Sequence, residues 1–174
     1  MKKFIAMLMA ALMVASMFAG CGAKEEAPAA NADAPAAEAP ASAIKLGMCG
    51  PLTGGAAVYG TAVQAGMQIA VEEINAKGGL QFALNTQDDE HDTEKAANAY
   101  NALKDWGMQI MAGPVTTAPS NVVAAECAND EIFMLTPSAS GVSVIEYGDN
   151  IFQICFTDPN QGVASADYMA AHEL

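Results

Sequence analysis

From Ile44 onward the chain alternates short apolar runs with amphipathic stretches of helical period, which commits it to strands and helices taken in turn. Residues 44–49 read as a first strand. A first helix spans residues 60–76, where Val63, Met67, Ala70, Val71 and Ile74 recur at spacings of three and four and Lys77-Gly78-Gly79 closes the segment. Residues 81–86 form a second strand. A second helix over 93–106 has Asp92 as its N-cap and Ala96, Ala97, Tyr100 and Leu103 as its buried face. A short third strand covers 108–112, and a third helix opens at Pro119 or Ser120 and runs to Asn129. Strands four and five follow at 132–136 and 151–156, with Met67, Met108, Met111 and Met134 at core-like spacings. The expected fold class is α/β, with a mostly parallel sheet flanked by helices.

The residues before this domain have a different character. Met1-Lys2-Lys3 and the apolar run from Phe4 to Ala19 have the basic and hydrophobic regions of an export signal, too short for a comfortable bilayer span. Phe18-Ala19-Gly20-Cys21 is similar to a bacterial lipobox, with Phe where Leu is usual, so residues 1–20 read as a lipoprotein signal and Cys21 as the lipidation site. Residues 21–43 are mostly Ala, Pro, Glu and Asp, a composition that cannot offset the entropy of ordering and reads as a solvated tether.

A formal net charge of −13 argues against nucleic acid as a partner. All seven basic residues are lysines, so no guanidinium can clamp a carboxylate or phosphate. An anion must instead be held by backbone N–H groups, hydroxyls or lysines. Cys49, Cys127 and Cys155 sit in apolar contexts and read as three buried thiols, with one disulfide as the alternative in an exported chain.

In open parallel sheets, ligands bind beyond the carboxyl ends of the strands. Three loops lie there, all rich in glycine, proline and hydroxyls and free of charge: residues 50–60, 113–120 and 136–141. The first, Gly50-Pro51-Leu52-Thr53-Gly54-Gly55-Ala56-Ala57-Val58-Tyr59-Gly60, presents backbone amides at a helix start together with the Thr53 hydroxyl and the Tyr59 ring. Such loops suit a zwitterion held by neutral donors and acceptors better than they suit acid–base chemistry.

That stretch, with the Glu72-Glu73-Ile74-Asn75-Ala76-Lys77-Gly78-Gly79 that ends its helix, resembles the opening strand-loop-helix of branched-chain amino-acid-type binding proteins of ABC importers. Phe156-Thr157-Asp158-Pro159-Asn160-Gln161-Gly162 resembles the same family's crossover between lobes, although Gln153 stands where an arginine is common. The resemblance implies a type I periplasmic-binding-protein lobe over residues 44–157, incomplete, with residues 158–174 entering a second lobe that is largely missing. It implies ligand contacts from Tyr59, from Thr116 or Thr117, and from Ser138, Ala139 and Ser140, with Thr53 and the loop glycines as cleft wall. It further implies an extracytoplasmic, lipid-anchored monomer that hands a small amino acid or amide to an ABC permease, without catalysis, metal or cofactor. A ligand-sensing domain of a membrane receptor is the alternative.

The run Asp88-Asp89-Glu90-His91-Asp92 places four carboxylates and an imidazole within five residues, yet its spacing fits no calcium loop or zinc template. The expectation is dipole and capping chemistry at a helix start, with a metal-dependent enzyme as the competing reading. The first loop matches neither nucleotide-binding glycine pattern, and His91 and His172 have no nucleophile partner in sequence.

Overall fold

The computed structural model describes residues 42–173; the signal, Cys21 and nearly all of the tether lie outside the described residues. The elements run β1 (Ile44–Gly50), α1 (Ala57–Ala76), β2 (Phe82–Asp88), α2 (Thr93–Asp105), β3 (Ile110–Ala112), α3 (Thr117–Asn129) and β4 (Phe133–Thr136). A 3₁₀ turn (Val142–Glu146), β5 (Ile151–Gln153) and α4 (Asp158–Ala171) complete them. No helix among the described residues is long and apolar enough to cross a membrane.

All four strand pairings are parallel, in the order β2-β1-β3-β4-β5. Right-handed crossovers place α1 on one face of such a sheet and α2 and α3 on the other. The burial agrees. Met111 and Met134 are in register across β3 and β4, Ile151 is in register with Met134, and all three are buried beneath α2 and α3 with Tyr100, Leu103, Val123, Ala124 and Cys127. The alternate residues Phe133 and Phe152 face the other way, remain 42% and 47% exposed, and stack with centroids 5.2 Å apart. On that face α1 packs against β1 and β2.

This asymmetry corrects the expected buried face of the first helix. Gly60 alone is buried in α1; Val63, Met67 and Val71 are half-buried, and Ala70 and Ile74 are exposed. A helix with no neighbour beside it shields only the strip directly against the sheet. In α2 the buried set is Ala96, Ala99, Tyr100 and Leu103, while Ala97 is half-buried.

Element ends shift for local reasons. α3 begins at Thr117, so Pro119 lies within its first turn, where a missing N–H costs nothing. β5 stops at Gln153 because its partner β4 ends at Thr136. α4 starts at Asp158, with Thr157 accepting from the Asn160 N–H at 3.4 Å. Asp92 caps α2 as expected, accepting from the N–H groups of Glu94 and Lys95 at 2.9 Å each.

Cys49 and Cys127 are buried free thiols, but Cys155 is only half-buried. Burial holds the Cys49 thiol well above its usual pKa and pushes Cys127 up to about 12, so both stay protonated and behave as small hydrophobes. The buried Tyr100 keeps its hydroxyl satisfied by donating to Asp130 Oδ2 at 2.7 Å, and Lys104 pairs with the same oxygen.

Gly60 explains how the first loop is held. A Cβ there would lie 2.0 Å from the Pro51 carbonyl oxygen, so only glycine lets α1 sit this close to the end of β1. Gly66, in the same helix, has open space around it. Gly60→Ala is expected to destabilise the fold by about 1–3 kcal/mol through forced backbone movement. Gly66→Ala should stabilise it by about 0.5–1 kcal/mol through helix propensity. Urea unfolding of the two variants checks both signs.

Candidate functional site

With β2 on one side of β1 and β3 on the other, the chain leaves the ends of β1 and β3 in opposite directions, which opens a crevice at their carboxyl ends. An open depression of about 880 Å³ lies at this end of the sheet, within the range of small-molecule sites. Loops from four strands and the starts of three helices reach it. Its wall includes Tyr59, His91, Thr116, Thr117, Ser138, Ser140 and Phe156.

Each expected ligand residue has a definite place. Tyr59, on the first turns of α1, is 59% exposed and lines the depression. Thr116 is the N-cap residue of α3 and Thr117 its first helical residue, and both face the depression. Thr117 Oγ1 accepts the Gly141 N–H at 3.3 Å, which ties the β3–α3 loop to the segment after β4. Because that bond uses an oxygen lone pair, the Thr117 hydroxyl proton stays free to donate.

Ser138 and Ser140 also line the wall, and their hydroxyls have no hydrogen-bond partner among the described residues. The Ser140 carbonyl accepts from the Asp158 N–H at 3.0 Å. Ala139 is different: it is 1% exposed and lies behind the wall. Its carbonyl is already taken by the Gln153 amide and, at 3.2 Å, by the Cys155 thiol. After β4 ends at Thr136, the chain turns Ala139 inward and leaves Ser138 exposed and Ser140 half-buried.

Thr53 does not line the depression. It donates to Asp88 Oδ2 at 2.5 Å, while Asp88 Oδ1 accepts from the N–H groups of Leu52 at 2.8 Å and Glu90 at 2.9 Å. Asp88 thus fastens the β1–α1 loop to the β2–α2 loop. Partial burial pushes its pKa up, but the hydrogen bonds from Thr53, Glu90 and Leu52 outweigh that and leave it below the usual carboxylate value.

The rest of the acidic run is equally local. Asp89 is buried, and its Oδ1 accepts the His91 N–H at 2.9 Å. Its Oδ2 has no partner among the described residues, and burial, against that N–H bond, raises its pKa. Glu90 pairs with Lys95 at 2.6 Å on the surface, and Asp92 is the helix cap. Among the described residues, no group of three or more His, Cys, Asp or Glu side chains converges as a metal site.

Sequence reasoning missed His91, Cys155, Phe156 and Gln161 as wall residues. In sequence His91 is one member of an acidic run and a histidine with no nucleophile partner, and its contact with Thr116, 25 positions away, leaves no periodic trace.

A depression walled by uncharged hydroxyls and rings, at the switch point of a parallel sheet, defines a small-molecule binding lobe. A family model described as periplasmic binding protein matches residues 43–173, and the chain belongs to that family. The Leu/Ile/Val-binding protein BraC3 of Rhizobium johnstonii is 34% identical over 147 residues, covering 82% of this chain and 37% of that protein. The structure of LivJ, a branched-chain amino acid transporter substrate binding protein from Streptococcus pneumoniae in complex with isoleucine, matches with a TM-score of 0.63 at 31% identity. That match covers 67% of this chain and 34% of LivJ. The leucine binding protein LivK of Thermotoga maritima matches with a TM-score of 0.66 at 29% identity, over 72% of this chain and 36% of that one. The chain therefore spans little more than a third of the length of these relatives.

Asp88 supplies a pH-dependent test of the loop clasp. A depressed folded-state pKa means the stabilisation is present above the unfolded carboxylate value near 3.8 and is lost as pH falls through the folded value. Asp88→Ala should cost about 1 kcal/mol at pH 7, kept small by solvent screening, and the difference from the unsubstituted chain should shrink toward acid. Asp89→Asn should show the opposite trend, because a raised carboxylate pKa costs stability as pH rises through it. Denaturant unfolding between pH 3 and 8, roughly the carboxylate-to-neutral window, separates the two.

Proposed function

We propose that the chain is the ligand-binding part of an extracytoplasmic solute-binding component of an ABC importer, with a branched-chain or related small amino acid as ligand. The single observation that carries this reading is the gathering of free donors and free acceptors around one depression. On the α3 side stand the Thr117 hydroxyl proton and the N–H groups of Thr117 and Ala118, since Thr116 makes no side-chain cap. These suit a carboxylate, which a helix start favours electrostatically. On the β4 side stand the Ser138 and Ser140 hydroxyl oxygens and the Ser138 carbonyl, which suit an ammonium group. The Ala139 carbonyl is satisfied internally and takes no part.

Tyr59 and Phe156 supply ring surface for an apolar side chain. The relatives named for leucine, isoleucine and valine support that class of ligand. The same reading includes lipid attachment through Cys21, handover to a membrane permease, action as a monomer, no catalytic step, and a second lobe opposing this wall. Lobe closure on the ligand would then bury the half of it that this wall leaves open.

Isothermal titration of the intact gene product with leucine, isoleucine and valine tests the proposal. Binding of at least one is expected. Thr117→Val should weaken it about tenfold or more, as for a hydrogen bond to a charged group. Tyr59→Ala should weaken it through lost apolar contact. Silence with all three amino acids, in protein that is demonstrably folded, would sink the reading.

A further inference from the structure

His91 has no part in the acid clasp beyond its backbone, yet its ring reaches across to the binding wall. Nδ1 lies 2.9 Å from Thr116 Oγ1, in a contact that joins the β2–α2 loop to the start of α3. Thr116 has the extended backbone of an N-cap residue, with φ −113° and ψ 153°, but its hydroxyl caps nothing. A threonine at this position ordinarily accepts from the N–H of the second or third helical residue. Here the third is Pro119, which has no N–H, so Ala118 is the one amide the hydroxyl could take. The bond to His91 holds Oγ1 toward the loop instead, whichever ring tautomer forms it. The ring is placed by the left-handed backbone of Glu90 and His91, with φ 48° and 61°, and by the His91 N–H on buried Asp89.

We infer that His91 is a positioning residue for the binding site: it restrains the Thr116 hydroxyl and thereby keeps the Ala118 N–H open toward the depression. The inference rests on the binding role proposed above. Without the ring, Thr116 turns to cap α3, and the amide that would meet a ligand carboxylate is occupied from within.

Amide hydrogen exchange and leucine titration on the intact gene product test this, using His91→Ala and His91→Gly. The glycine variant removes the penalty of a side chain at φ 61°, so an effect shared by both variants belongs to the ring. Expected is slower exchange at Ala118 in both variants, with a return to the original rate when Thr116→Val is added, because valine cannot cap. Leucine affinity should fall about tenfold in each single variant. Unchanged exchange at Ala118 overturns the inference, as does slowed exchange that persists with Thr116→Val. So does unchanged leucine affinity where the unsubstituted protein binds leucine. If the unsubstituted protein binds no leucine, isoleucine or valine, the binding role fails, and the exchange measurements alone decide what His91 does to Thr116.

Discussion

Two parallel strands cannot be joined by a tight turn. The chain must cross back over the sheet between them, and every strand then ends at the same edge. That constraint organises the molecule. It gathers the loops after β1, β2, β3, β4 and β5 at one end of the sheet, and the order β2-β1-β3-β4-β5 parts the loops after β1 and β3 to leave a crevice between them. It also fixes where the core lies, since successive crossovers from β2 onward place α2 and α3 on one face while α1 covers part of the other.

The wall that results works without formal charge at its centre. A chain whose basic residues are all lysines has no guanidinium to offer an anion, and hydroxyl protons and helix amides could serve instead only where other bonds aim them. The aiming comes from neighbouring segments of the chain: Gly141 N–H bonds the Thr117 hydroxyl, His91 bonds the Thr116 hydroxyl, and Gln153 and Cys155 hold the Ala139 carbonyl inward. The acidic run after β2 serves the same end. Asp88 locks two loops together, Asp89 shapes the turn that carries His91, and Asp92 starts α2. Four acids in five residues suggest an ion when read as composition, and a clasp when read by their partners.

Much of this was legible before any coordinates. Apolar period gave the order and type of the five strands and first three helices, because a helix or strand buries one face and must space its apolar residues to match. Asp92 as a cap was legible for a similar reason: capping is local chemistry between residues two and three apart. The exposure of Ala70 and Ile74 was not, because periodicity says which way a residue points and not whether anything lies there. Thr53 was misplaced as cleft wall because the residue that claims its hydroxyl, Asp88, is 35 positions away.

The sequence by itself determined the class of fold, the three neutral loops and the family to which they belong, since each depends on contiguous residues whose local chemistry is self-contained. Tertiary structure alone decided which atoms of those loops remain free. Ser138, Ala139 and Ser140 are indistinguishable in sequence as bearers of a carbonyl, and Thr116 and Thr117 as bearers of a hydroxyl. Only the distant partners Gln153, Cys155, Gly141 and His91, brought close by the folding of the chain around the sheet, determine which of these groups are satisfied within the protein and which stay free.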